Sequence, residues 1–295
     1  MPSWTVDGPT SLDFDEVTAV NVQLVAGTVA VLATDDRPSV VVTELGGRPL
    51  VVSNDGGALT VGYESPVLDG LLGFLKPRRD AVAVTITVPA DCPVRLGVLS
   101  ASAILSGLRA GASVKGMSGD ITLDGVAGEV TAETMSGEVA ACDIDGTIRF
   151  KSMSGGLTLA GGTLDRLEAN SMTGHVTADV TLAPSGGVHV STMSGDVTLR
   201  LPADSDAKVR LHSTSGAVRS EFDSLRTVMA PAAHAASGNV GAGTGCVSVT
   251  TVSGSVTLLR RGAVNFRGDD PARPPGPARS EGKGTGEAEM ESKTR

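Results

Sequence analysis

Aromatic side chains are scarce in this chain of 295 residues, where Phe, Trp and Tyr together make up 2%. Hydrophobic residues still reach 40%, so a core has to be built from Val, Leu, Ile and Ala, with Thr beside them. Branched side chains of this size suit pleated sheets. The 38 glycines are too many for a helical bundle and lack the strict period of collagen. Composition therefore predicts an all-β protein.

Other features are missing as well. The net charge is −9, which argues against nucleic acid as a partner because contacts with phosphates need clustered Lys and Arg. The sequence has no apolar run long enough to predict a transmembrane helix. The opening residues lack the basic start and apolar stretch of a signal peptide. The cysteines Cys92, Cys142 and Cys246 form no CxxC pair. They predict free, buried thiols in a reducing compartment, and hence a cytoplasmic protein.

What the chain does contain is an internal repeat, marked by the triplet Met-Ser-Gly and its variants. The first residue of the triplet falls at Met117, Met135, Met153, Met172, Met193, Thr214 and Val252. Successive spacings are 18, 18, 19, 21, 21 and 38, and a degenerate copy at Ala236 divides the last interval. Units of about twenty residues predict a stack of short supersecondary elements.

Each unit reads as two short strands with alternating apolar and polar residues. In the second strand, the predicted inward residues are Val130, Ala132, Thr134, Ile148, Phe150, Ser152, Val188, Val190 and Thr192. A unit this small cannot bury its own apolar face, so neighbouring units must stack. We predict a β-solenoid, a single-stranded parallel β-helix of two-strand repeats. The alternative is an antiparallel β-sandwich or meander, in which each triplet would form a hairpin turn.

The repeat also divides the chain. We expect an irregular N-terminal β region over residues 1–110 that caps the array, the solenoid over residues 111–262, and a disordered Pro-, Gly- and charge-rich tail over residues 263–295. Residues 65–80 break the pattern with an apolar group formed by Leu71, Leu72, Phe74 and Leu75. This segment is either a loop that covers an edge of the stack or a docking loop for a partner or an acidic membrane surface.

The recurring "SGDVTL" grammar, together with "VTITVPAD" at Val84, resembles a bacterial β-strand-repeat family of unknown function whose members are called putative adhesins. The resemblance covers roughly residues 20–260. It implies a right-handed, parallel-type β-repeat fold, and it offers no catalytic residues to transfer.

The regular polar positions of the repeat are explained by backbone geometry. A hydroxyl and a glycine occupy each corner, where the hydroxyls can bond along the stack and glycine permits positive φ. For Gly137, the positive-φ interpretation predicts that Gly137→Val lowers stability. The structural corner residues are Ser118, Gly119, Ser136, Gly137, Ser154, Gly155, Thr173, Gly174, Ser194, Gly195, Ser215, Gly216, Ser253 and Gly254.

We expect no metal, cofactor or catalytic site. Only three of the seven residues after Ser-Gly are acidic (Asp120, Glu138, Asp196), too few for a calcium ladder. Methionine thioethers suit Cu(I), but replacement by Thr214 and Val252 is typical of a packing position that Met fills. His189 and His212 are predicted on neighbouring coils, without a convincing acid–base partner.

The sequence therefore predicts a non-catalytic structural or protein-interaction module that binds an unknown protein or associates with itself. Two alternatives belong to other classes. One is a β-helical protein that binds or cleaves cell-wall carbohydrate, which would need an acid–base pair on the exposed face. The other is a self-assembling scaffold joined end to end, which would need uncapped apolar coil ends.

Overall fold

The computed structural model describes residues 2–63, 81–230 and 233–262, and within these ranges every regular element is a β-strand. The segments at 65–80 and 263–295, including Leu71, Leu72, Phe74 and Leu75, lie outside the described residues. None of the described residues forms a helix that could span a membrane. The first nine strands are β1 Ser3–Val6, β2 Thr10–Asp13, β3 Ala19–Ala33, β4 Ser39–Leu45, β5 Leu50–Asp55, β6 Ala58–Gly62, β7 Ala81–Val88, β8 Val94–Ser106 and β9 Ala112–Gly116.

The remaining strands continue the same pattern of short, alternating segments. They are β10 Ile121–Asp124, β11 Ala127–Thr134, β12 Val139–Cys142, β13 Asp145–Ser152, β14 Leu157–Thr173, β15 Val176–Ser194, β16 Val197–Pro202, β17 Ala207–Ser213, β18 Val218–Ser220, β19 Arg226–Ala230, β20 Ala233–Val240, β21 Gly245–Thr251 and β22 Val256–Arg261.

Successive repeats stack as parallel coils. Strand β11 pairs in parallel with β9 on one side and β13 on the other, with Thr131 opposite Ser113 and Arg149. Strand β12 pairs in parallel with β10 and β14 in the same way. The partners are one repeat apart, so each coil contributes two strands to the stack. This is a β-solenoid-like arrangement.

The Met-Ser-Gly triplets join the two strands of one coil. Residues 153–155 connect β13 to the first part of β14, Leu157–Ala160, which pairs in parallel with β12. Strand β13 pairs in parallel with β11 and with the later part of β14, Leu164–Ser171, which lies one coil further on. The alternative of hairpin turns at the triplets was therefore wrong. All nine predicted inward side chains face the interior, with Phe150 fully buried and only Ser152 partly accessible.

Coil order departs from sequence order at the C-terminal end. Strand β21 lies between β15 and β17, and β22 lies between β16 and β18, so the coil at residues 245–261 is inserted between two earlier ones. His189 and Arg210 both face Ser248. The prediction that His189 and His212 occupy neighbouring coils was wrong, because the chain skips one level and fills it later.

The Ala236 copy of the triplet was also misread. Ala236 is buried within β20, which pairs antiparallel with β17 and with β19. Its Ala-Ser-Gly letters belong to the middle of a terminal strand, where no corner occurs. A three-letter match therefore indicated a corner only where the flanking strands run parallel to their neighbours.

The N-terminal strands extend the stack and then end it. Strand β3 pairs in parallel with β8 on one side and with β6 and β7 on the other. Beyond these, β4 and β2 follow β7, and β5 and β1 follow β6, all antiparallel. Parallel coils thus lie on the N-terminal side of residue 111 as well, and antiparallel strands stand at both ends of the stack.

The cysteines are free, but only one of them is buried. Cys92 is 2% exposed, and burial raises the pKa of its thiol to about 11. Cys142 and Cys246 are exposed, which corrects the prediction of three buried thiols. The pKa of Cys142 is raised by local desolvation and by the carboxylates of Asp143 and Asp124.

Candidate functional site

The corner position that the sequence assigned to packing is in fact exposed. The five methionines of the triplets have exposed fractions between 47% and 56%. Their side chains therefore lie on the outside of the corner, in water, and Met does not fill space in the core at the packing position predicted from the sequence. Large apolar side chains in water are informative when they are contiguous, because an isolated one needs no explanation.

These side chains form a single column along the stack. Backbone pairing places Ser136 N against Met117 O at 3.0 Å, and Ser154 N against Met135 O at 2.8 Å. The same step continues through Met153, Met172 and Met193. The five methionines, which we call the methionine row, therefore occupy five consecutive coils separated by about 4.8 Å each.

Apolar residues extend the column at both ends. Val25 and Leu99, each 39% exposed, precede Met117, and Val252, 49% exposed, follows Met193. Seven steps of one inter-strand spacing give a length of roughly 34 Å. We call this column the apolar ridge. Its members in stacking order are Val25, Leu99, Met117, Met135, Met153, Met172, Met193 and Val252.

The corner hydroxyls bind the backbone of the neighbouring coil. Ser136 Oγ donates to Met117 O at 3.3 Å, Ser154 Oγ to Met135 O at 3.2 Å, and Thr173 Oγ1 to Met153 O at 3.2 Å. Their donors are therefore used within the stack. The carbonyls of Met117, Met135 and Met153 thus accept both an N–H and a hydroxyl, and the ridge side chains are the chemistry presented outward.

The corner glycines are enforced by close approach of backbones. A Cβ on Gly137 would lie 2.0 Å from Gly119 O, and one on Gly155 would lie 2.0 Å from Gly137 O. Gly137 itself is not in the left-handed region, so positive φ was the wrong reason for that residue. Other copies repeat the approach, namely Gly119, Gly174, Gly195, Gly216 and Gly254.

A second row of hydroxyls lies inside each corner. Thr134 Oγ1 accepts from Gly137 N at 2.9 Å, and Ser213 Oγ accepts from Gly216 N at 2.8 Å and donates to Gly254 O at 2.8 Å. These side chains are buried. The alternation in the sequence had placed Thr134 inward, and the structure adds that Thr134 and Ser213 accept from the corner amide.

Charged side chains flank the ridge on both sides. On one side Glu133 pairs with Lys115 at 3.0 Å and with Lys151 at 3.9 Å. On the other side, Asp120 Oδ1 accepts from Glu138 N at 3.1 Å. The ridge is thus an apolar strip between two polar borders, and no charged residue interrupts it.

One acid–base pair had no counterpart in the sequence analysis. Glu138 Oε2 lies 3.8 Å from His175 Nε2, although these residues are on coils that are not adjacent. The pair forms across Gly156, where a Cβ would lie 2.5 Å from Glu138 Oε2 and from His175 Cε1. Both side chains are about half exposed, so the pair sits in solvent. In the sequence, the one indication of this pair is Gly156, which has no side chain to separate the two residues.

Within residues 2–63, 81–230 and 233–262, no group of three or more His, Cys, Asp or Glu side chains could hold an ion. Thioethers are outside that set.

Comparison with known proteins gives a family and distant structural relatives. The family model described as Toastrack DUF4097 matches residues 18–259. No curated protein matches the chain. A putative lipid binding protein from Parabacteroides distasonis is 15% identical, with a TM-score of 0.44, over 86% of this chain and 97% of that one. A putative adhesin from Bacteroides fragilis is 13% identical, with a TM-score of 0.41, over 86% and 98%. A putative cell adhesion protein from Clostridium sporogenes is 10% identical, with a TM-score of 0.27, over 86% and 100%.

Proposed function

The chain belongs to the Toastrack DUF4097 family, and from this premise we propose that it is a non-catalytic, cytoplasmic protein-interaction module that pairs with a second copy of itself along the apolar ridge. The observation that supports the proposal is the ridge itself. Eight large apolar side chains, each 39% to 56% exposed, stand in one uninterrupted column.

The size of the ridge supports a contact surface. With each side chain presenting on the order of 80–100 Å², the ridge offers roughly 700 Å² of apolar area, which exceeds the largest patch of a typical soluble monomer. The same value is close to the ~800 Å² per partner that a standard interface buries. A surface of this size is therefore unfavourable in water and favourable in a complex.

A second copy fits the ridge better than a charged partner does. The ridge is apolar throughout and repeats at the spacing of its strands, so an identical column presents apolar side chains at the same spacing. Its flanking charges include both signs, with Lys115 and Lys151 on one border and Asp120 and Glu138 on the other. An isologous pairing brings apolar residues together and leaves the charged borders in water.

Two further features support the rest of the proposal. The corner hydroxyls of Ser136, Ser154 and Thr173 donate to backbone carbonyls, so these regular polar positions serve the fold. The three free cysteines agree with a reducing compartment. Antiparallel strands at both ends of the stack weigh against the end-to-end scaffold, because a parallel coil cannot continue there.

The proposal is tested by light scattering on the full chain, with Cys142→Ser and Cys246→Ser present throughout to prevent disulfide cross-links. We expect a dimer in a concentration series reaching the high micromolar range. The triple variant Met135→Lys, Met153→Lys, Met172→Lys should be monomeric, since it buries three ammonium groups in the contact.

The matched control places the same three charges on the other strand row of the coils. Thr122, Thr158 and Thr177 are exposed and point away from the ridge, so their replacement by Lys should leave the dimer intact. A wild-type chain that stays monomeric at every concentration, or a control that dissociates as readily as the ridge variant, would contradict the proposal.

A further inference from the structure

We propose that the methionine row is a binding site for Cu(I), with Ag(I) as its chemical surrogate. The inference goes beyond the contact surface, because it depends on the sulfur atoms and not on the apolar character of the ridge. The row supplies five thioethers on consecutive coils, at Met117, Met135, Met153, Met172 and Met193.

Spacing and flexibility favour a shared ion. Neighbouring methionines start about 4.8 Å apart. Methionine has three rotatable side-chain bonds, so the sulfurs of adjacent residues can converge on one point from this spacing. Because the residues are half exposed in the single chain, packing within the chain does not fix their rotamers, and an ion can reach them from solvent while the ridge is unpaired.

The chemistry of the donor set selects a soft, monovalent ion. Thioether sulfur is a ligand for Cu(I) and a poor one for Mg²⁺ or Ca²⁺, which require oxygen. No carboxylate or imidazole stands within the row itself. The acidic residues Asp120, Glu138 and Asp196 lie on one border and lower the cost of bringing a cation to the ridge.

The stacking order removes the main objection from the sequence. Thr214 and Val252, which replace methionine in two repeats, appeared to show that the position tolerates loss of sulfur. In the structure these two residues occupy the last two coils, beyond Met193. The five methionines are therefore contiguous in space, and the exceptions stand together at one end.

Substitution by leucine separates this inference from the proposed function. Leu keeps the apolar surface but carries no sulfur. The triple variant Met135→Leu, Met153→Leu, Met172→Leu should therefore retain the dimer and lose the ion, whereas the lysine variant should lose both. Failure of one proposal leaves the other standing.

The direct test is nuclear magnetic resonance of methyl-labelled methionine during titration with Ag(I). The full chain carries Cys142→Ser and Cys246→Ser, because exposed thiols would bind the ion themselves. We expect the methyl signals of the five row methionines to shift and to saturate at fewer ions than there are sulfurs. The remaining methionines of the chain serve as the internal reference.

Affinity for Cu(I) is then measured by competition with a colorimetric chelator. Loss of an outer-shell partner weakens metal affinity by roughly 10- to 100-fold. The leucine triple variant loses direct ligands, so its affinity for Cu(I) should fall by more than that. Zn²⁺ and Ca²⁺ should leave the row signals unchanged. Equal affinity of the leucine variant, or shifts spread evenly over all methionines, would overturn the inference.

Discussion

Gly137 shows how closely two coils approach at a triplet corner. Its hypothetical Cβ would stand 2.0 Å from Gly119 O, and Gly155 has the same relation to Gly137. Each corner thus presents its glycine to the backbone carbonyl of the coil before it. The requirement is steric, and it recurs in every stacked copy because every coil has the same neighbour.

Replacement of Gly137 by alanine should therefore be costly even though alanine tolerates its backbone conformation. We expect a loss of about 3 kcal/mol or more in the free energy of unfolding, since the Cβ overlaps a backbone atom that cannot rotate away. Urea denaturation followed by circular dichroism measures the change. Gly137→Val, predicted from the sequence on other grounds, should be at least as severe.

Gly8 provides the control for this substitution. A Cβ at Gly8 would meet no atom within 4 Å, and its φ lies outside the left-handed region. Gly8→Ala should change stability by less than about 0.5 kcal/mol. If Gly137→Ala were equally neutral, the coils could not be in the register that the structure shows.

The coil at residues 245–261 shows where reading from the sequence succeeds and where it fails. Alternation and turn residues predicted its two strands and its Val252-Ser253-Gly254 corner. Its position between β15 and β17 was not predictable, because the inward sequences of these coils are interchangeable. Any Val- or Leu-bearing coil fits between two others, and only the backbone path decides which one fills the level.

An engineered disulfide tests this coil order. His189 and Ser248 are opposite each other on adjacent strands, about 4.8 Å apart, which is within the Cα range of a disulfide. With Cys142→Ser and Cys246→Ser in place, His189→Cys with Ser248→Cys should oxidise completely. Mass spectrometry of the non-reduced chain detects the cross-link.

The matched pair joins His189 to Arg210, which a sequential stack would make neighbours. In the structure Ser248 lies between them, so their Cα atoms are about 10 Å apart and beyond the roughly 7 Å limit for a bridge. His189→Cys with Arg210→Cys should stay reduced within one chain. The opposite result for the two pairs would establish sequential stacking.

The exposed ridge was missed for a related reason. Period-2 alternation predicts which side chains of a strand face inward. It makes no prediction at a corner, where the backbone turns and the alternation is lost. Met117 and its copies were assigned to a packing position because Thr214 and Val252 replace methionine in two repeats. The Ser-Gly that follows each one indicated a turn, and side chains at the outside of a turn are the ones that reach water.

The stack as a whole needs covered ends, because a parallel coil without a neighbour exposes a row of unpaired N–H and C=O groups. At the N-terminal end the antiparallel strands β1 and β2 cover the outer edges of β5 and β4. At the C-terminal end β19 and β20 do the same for β17. The sequence showed that these regions depart from the repeat, and the reversal of strand direction gives the departure a physical role.

Removal of residues 2–13 should therefore convert a discrete protein into an aggregating one. The deletion uncovers β4, whose sequence Ser39–Leu45 is rich in β-branched residues and suited to pairing with another chain. The ridge lysine substitutions are included so that ridge pairing does not contribute. Light scattering should show species larger than a dimer that grow with time.

A single charge on the uncovered edge distinguishes edge pairing from simple loss of stability. Val41 is on β4 and faces outward, opposite Ser11 of β2 in the intact chain. Lysine on an edge strand opposes the approach of a second strand, so Val41→Lys in the shortened chain should restore a monomer without restoring the lost β1 and β2 contacts. If the shortened chain stayed monomeric, or aggregated equally with and without Val41→Lys, the end strands would serve core stability and not edge protection. The β-branched residues that pack well inside a coil also make an uncovered strand edge prone to pair with another chain.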